Sequence, residues 1–219
     1  MSALTLDRPW LEFDLGEEMQ VLSWALNRPG FVTASRILWR EVRNGDLPPD
    51  LDVGSWLTNE LQARDATDAV TLLTSRDVRQ VREHSVTIGT TTAHAVATTG
   101  LSNAESVGHR VDRKGKDWGT INVALRISTP LTQAALIEVM SIAVQARTAA
   151  VIEVDHTLPT GRATGTGTDC VAVAAPVGTT QFAGLHTEIG EAAGRAVYTT
   201  VLEGARDWMA TVRHNEGAA

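Results

Sequence analysis

Hydrophobic positions recur along this chain of 219 residues with two periods, and the switches between them mark its elements. Val21-Leu22-Ser23-Trp24-Ala25-Leu26 reads as a strand broken by Asn27-Arg28-Pro29-Gly30, and a second strand from about Thr33 to Val42 completes a hairpin. Pro48-Pro49 is a breaker, beyond which Val53, Leu57 and Leu61 fall at helical spacing and predict a helix from Val53 to Arg64. Asp68 to Thr74 predicts a short buried strand, and Arg79 to Ile88 an alternating one. His94 to Thr99 predicts another, ending at Gly100-Leu101-Ser102-Asn103. Ser106 to Trp118 is polar and predicts an exposed loop able to cover a site. Thr120 to Ser128 returns as a strand. Thr129 as N-cap and Pro130 at the first helical position then open a helix to about Ala150, with an apolar stripe through Leu131, Ala135, Val139, Ile142, Ala146 and Ala149. A last helix is predicted from about Glu188 to Val212. Thr187 is its N-cap, and Glu188 and Glu191 suit its positive end.

Strands and helices interleave without strict alternation, which predicts α+β or mixed α/β. The expected arrangement is one domain over residues 1–219, with its core at about 21–212. Mixed β-sheet(s) would be packed by the central helix and the long C-terminal helix. A formal charge of −7 without a Lys/Arg cluster argues against nucleic acid as a partner. No unbroken apolar run approaches the roughly 18 residues of a membrane span, so no membrane partner is expected. The first residues lack a basic segment followed by an apolar core, and one cysteine allows no intrachain disulfide; both predict a cytoplasmic protein. Cys170 starts an apolar run, Val171 to Ala175, and reads as a small buried residue, not a nucleophile.

The chemistry concentrates in Ala163-Thr164-Gly165-Thr166-Gly167-Thr168-Asp169-Cys170, a loop of small hydroxylated residues and glycines that leads into that buried run. It presents backbone N–H groups, hydroxyls and one carboxylate. A phosphate loop would need Gly-Lys-Ser/Thr, which is absent, and the dinucleotide fingerprint follows a strand instead of preceding one. A structural Thr/Gly turn remains the alternative. Asp169 either handles a proton or caps the turn, and His186 acts as a base or merely sits at a helix start. Gly100-Leu101-Ser102-Asn103-Ala104 lacks the final glycine and the following helix of a serine-hydrolase elbow. His94 reads as structural. No metal-ligand spacing is present, and a metal site on His94, Asp169 and His186 is left open.

Several stretches, in order, resemble the adenosylcobinamide amidohydrolase (CbiZ) family: Leu22 to Phe31, Ala97 to Ala104, Gly119 to Asn122, Pro130 to Leu136, Arg147 to Ala150, Ala163 to Cys170, and Ala183 to Tyr198. The turn at Asn27 departs from the family's Asn-Gly-Gly, and Arg147 stands where the family has lysine. The resemblance implies hydrolysis of the amide joining aminopropanol to a propionate arm of the corrin, giving adenosylcobyric acid in cobinamide salvage for cobalamin synthesis. The corrinoid is then a small-molecule substrate, and no cofactor is required. Asp169, His186 and Thr168 are the implied catalytic residues. Asn27, Ser102, Asn103, Asn122, Thr164, Gly165, Thr166 and Gly167 are the implied substrate contacts, and Trp24, Trp39 and Trp118 the candidates for packing on the ring. A corrinoid-binding carrier or sensor without turnover is the alternative, and the reading leaves room for a homo-oligomer.

Overall fold

In the computed structural model, which describes residues 3–109, 111 and 119–212, alternation extends much further toward the N-terminus than the hydrophobic run at Val21 suggests. Strand β1 (Leu4–Asp7) precedes a 14-residue β2 (Trp10–Ser23) and β3 (Gly30–Glu41). The acidic residues Glu12, Asp14, Glu17 and Glu18 hide most of β2 in the sequence, yet Leu11, Phe13, Leu15 and Met19 between them are buried. Gly30 closes the β2–β3 turn at φ +83°, a backbone angle that glycine adopts without a side-chain clash.

Helix α1 (Val53–Ala63) is capped by Asp52, and β4 (Val70–Thr74) follows. Strands β5 (Arg82–Ile88) and β6 (Thr91–Thr99) form a hairpin, and the two-residue β7 (Ala104–Glu105) comes next. Then come β8 (Ile121–Ile127), α2 (Gln133–Glu153), the short β9 (Thr157–Leu158), β10 (Gly161–Arg162) and β11 (Gly165–Thr166), β12 (Cys170–Ala175) and α3 (Glu188–Thr211). The sequence places α2 three residues too early. Leu131 still bridges to Val177 and Thr180, so Thr132 caps the helix and accepts from Ala135 N at 3.3 Å. Thr129 is not the cap; its hydroxyl pairs with that of Thr91 at 2.7 Å.

The eight-stranded sheet runs β4-β3-β2-β12-β8-β6-β5, with β1 beside β2. It is mixed: β12 pairs parallel to β8 and antiparallel to β2, and β3 is parallel to β4. This agrees with the mixed α/β expectation. Side chains alternate between two cores. Val171, Val173 and Ala175 of β12 face α2 and α3, whereas Cys170, Ala172 and Ala174 face the other side. On the helix side small residues bring the layers close. A Cβ on Gly204 of α3 would lie 2.7 Å from Thr99 Oγ1.

On the other side the sheet curls over itself. The register of β2 shifts between Asp14 and Met19, and the ring of Phe13 meets His94 of β6 edge-on at 4.9 Å. Although β4 is an edge strand, its Leu73 carbonyl accepts from Asn122 Nδ2 of β8 at 2.6 Å, and Thr74 bonds Thr98 of β6 at 3.2 Å. The curl brings the end of β4 to the start of β8. By length and mean hydropathy, 1.5, α2 qualifies as a membrane span, which its scattered Gln, Ser, Thr and Arg hide in a search for unbroken runs. Its inner face is packed on β12 and α3.

Candidate functional site

The Gly/Thr loop folds around its own carboxylate. Asp169 accepts from four donors: Ile121 N at 3.0 Å, Thr166 N at 3.0 Å, the Thr166 hydroxyl and Arg147 Nη1. Its side chain is 5% exposed and that of Arg147 13%, so this ion pair between α2 and the start of β12 is buried. Gly165 makes room for it, since a Cβ there would lie 2.8 Å from Asp169 Oδ2. With its accepting positions occupied in this way, Asp169 anchors the loop, and no lone pair is left directed at a substrate proton. Asp169 thus takes, in this structure, the turn-anchoring role that the sequence left open beside proton handling.

A second chain of contacts radiates from Thr168. Asn103 Nδ2 donates to its hydroxyl at 3.1 Å, and that hydroxyl donates to Gly119 O at 3.0 Å. Thr120 donates to the Thr168 carbonyl at 2.9 Å and lies 3.4 Å from Asn122 Oδ1. Behind this cluster the backbones touch: a Cβ on Gly119 would stand 2.6 Å from Ser102 N and 3.1 Å from Asn103 N. The structure therefore brings together Ser102, Asn103, Asn122, Thr166, Thr168 and Asp169 from three separate stretches of sequence.

Beside the cluster opens a cavity of about 500 Å³. Its floor is Gly119, Thr120, Thr168 and Asp169. Its walls are mostly apolar, with Trp24, Ala25, Leu26, Val42, the run Leu47-Pro48-Pro49, Leu51, Val53, Leu72 and Leu73, and Arg43, Thr71 and Ser75 are their polar members. Trp24 is half-exposed but held, because its indole N–H donates to the Asp169 carbonyl at 2.7 Å. Cys170 also reaches the wall. Burial pushes its thiol up to about 12, which keeps it protonated and unreactive near neutral pH, as its position in sequence suggests.

Other expectations fall elsewhere. His186 lies in the turn before α3, whose Glu188 accepts from Thr90 N at the β5–β6 turn. That is the opposite end of β8 from Asp169, roughly 20 Å away at ~3.3 Å per residue. His186, one of the expected catalytic residues, therefore does not line the cavity. Asn27 does not face a ligand with a free amide either: Nδ2 donates to Ala69 O at 2.8 Å and Oδ1 accepts from Thr71 N at 3.0 Å, pinning the β2–β3 turn to β4. Thr164 bonds the 105–107 segment, accepting from Val107 N at 2.8 Å, and Gly167 is exposed at the loop tip.

Trp39, a candidate for ring packing, is 0% exposed in the curled core and cannot touch a ligand. Trp118 and most of the polar loop that contains it lie outside the described residues. His94 is structural, paired with Glu83 at 2.8 Å. Among the described residues no three His, Cys, Asp or Glu side chains converge, and His94, Asp169 and His186 form no such group.

The sequence reading missed the partnership of Arg147 with Asp169 and the wall from Leu47 to Val53. Pro48-Pro49 signals a turn, and nothing in those two residues says that a cavity lies beside it. The family model described as CbiZ, adenosylcobinamide amidohydrolase, matches residues 3–213. Curated proteins yield no match to the chain. Among solved structures, the PH0078 protein from Pyrococcus horikoshii OT3 is similar at a TM-score of 0.48 and 11% identity, over 89% of this chain and 76% of that one.

Proposed function

The chain belongs to the adenosylcobinamide amidohydrolase family, and on that premise we propose that it hydrolyses the amide between aminopropanol and a corrin propionate arm. Water adds to the amide carbonyl carbon, the C–N bond breaks, and a proton from water passes to the leaving nitrogen. The products are adenosylcobyric acid and aminopropanol, a step in corrinoid salvage for cobalamin synthesis.

The observation that carries this reading is the cavity, largely apolar on its walls, with a polar floor at residues 119–120 and 168–169 and the polar side chains of Arg43, Thr71 and Ser75 in its lining. A corrin edge is apolar between amide arms, so the walls suit the ring and the floor suits one arm. In this reading Thr168 and Thr120, the hydroxyl-bearing residues of the floor, meet the scissile amide. Asp169 and Arg147 hold those residues in place, and the anchored Trp24 packs on the ring. The hydroxyl protons of Thr168 and Thr120 are given to Gly119 O and the Thr168 carbonyl, so what these side chains offer the substrate is a lone pair to accept its amide N–H and hold the arm in place.

The occupied carboxylate of Asp169 favours a second reading, a corrinoid carrier or sensor without turnover. Incubation of purified protein with adenosylcobinamide, followed by chromatography of the amine released, separates the two. Catalytic release of aminopropanol supports the hydrolase. Stoichiometric retention of intact adenosylcobinamide would establish the carrier in its place.

A further inference from the structure

The two long helices present different faces to solvent. On α3 the outward positions include Glu188, Glu191, Arg195, Glu203 and Arg206, a charged and well-solvated surface. On α2 they are Ala134, Ile137, Ser141, Gln145, Ala149 and Ile152, and Glu153 carries charge only at the helix's last residue. The other charged side chains of α2 are engaged: Glu138 Oε2 accepts from Ala183 N at 2.6 Å, and Arg147 is buried against Asp169. Ile137 is 53% exposed and Ile152 37%. The contact between Glu138 and Ala183, and the bridges from Leu131 to Val177 and Thr180, set the 177–185 segment beside the first turns of α2. That segment exposes Val177, Phe182 and Leu185 by 78%, 70% and 64%. Large apolar side chains exposed together beside a neutral helix face mark an interaction surface.

We propose that this face of α2, with Val177, Phe182 and Leu185, binds the same face of a second copy of the chain. Three observations select that occupant. Each copy carries a net charge of −7, so two copies approach at least cost through a surface free of charge. The face is also self-complementary about a two-fold axis. Ile137 and Ile152 are equidistant from a centre between Val144 and Gln145, so antiparallel helices place Ile137 of each copy on Ile152 of the other. The small side chains of Ala134, Ser141 and Ala149 let the helices approach closely.

The size is adequate. At ~1.5 Å per residue α2 offers a strip roughly 31 Å long and about 10 Å wide. With the three large side chains beside it, the face approaches the ~600 Å² per partner at the lower end of stable interfaces. A membrane fits less well, because the face carries no exposed Lys or Arg to meet an anionic headgroup.

Sedimentation velocity of the full chain tests the proposal. The wild type should sediment as a dimer at micromolar concentration. Ile137→Glu combined with Ile152→Glu should weaken association by at least about 100-fold through like charges at the contact. Both positions are exposed, so the double variant should keep its helical circular dichroism. Gln145→Cys should give a covalent dimer with a short bis-maleimide, while Arg195→Cys on α3 should not; the buried thiol of Cys170 stays silent in both. A monomeric wild type, a dimer that survives the double substitution, or flotation of the wild type with neutral lipid vesicles would each overturn the proposal.

Discussion

At one end of β8 and β12, Thr120, Thr166 and Thr168 gather around Asp169 and border a cavity of about 500 Å³. At the other end, roughly 20 Å away, Thr132 and Thr187 cap α2 and α3, and Thr91 pairs with Thr129. Glycines permit close backbone approach at both ends: Gly119 against Ser102, and Gly190 against Gly184. The residue types are the same, and what differs is what they surround. At the far end the hydroxyls answer helix termini and turns. At the near end they answer one another and a buried ion pair. A Thr/Gly-rich loop therefore identifies a site only when a charge is held inside it and space is left beside it.

The sharpest way to break this comparison is Asp169→Asn. It leaves the Arg147 guanidinium buried without its anion, which should cost about 3–5 kcal/mol of stability in urea unfolding. Release of aminopropanol should fall by at least about a hundredfold if the loop positions the amide. A variant that keeps wild-type stability and turnover would make the near end as ordinary as the far one.

A paired substitution of intermediate effect sharpens the contrast. Gly119→Ala and Gly190→Ala each force a Cβ against backbone and should each lower stability by about 1–3 kcal/mol. Only Gly119→Ala should also reduce kcat, measured below the melting range of both variants. Equal losses of kcat would mean that the two ends act as one.

The smallest effect is expected of His186→Ala. Its stability should stay within about 0.5 kcal/mol of wild type, because the side chain is exposed. Turnover should stay within about twofold, because the imidazole lies far from the cavity. A tenfold loss would return the far end to the chemistry.

Much of the fold was legible because its signals are local. Val53, Leu57 and Leu61 gave α1, the Glu-rich first turn after Thr187 gave the start of α3, and the run after Cys170 gave β12. The first half of β2 was not legible, because its alternating Glu and Asp look like a loop until Phe13 is seen to turn inward. The start of α2 was misread because Thr129-Pro130 satisfies helix-start rules that the bridge from Leu131 to Val177 overrides. Within the site, the polar cluster was legible as separate motifs. The pairing of Arg147 with Asp169 and the distance of His186 were not, since both depend on which ends of which strands meet.

The position of β12 has a consequence for how the molecule comes into being. It lies between β2 and β8 and is their only shared neighbour among the described residues, yet it is the last strand in chain order among them. A nascent polypeptide emerging N-terminus first must therefore wait for residues 170–175 before its two half-sheets can join. Asp169 immediately precedes that strand, so the loop closes over Arg147 only once residues 169–175 have been made, and a product truncated before them has no assembled floor.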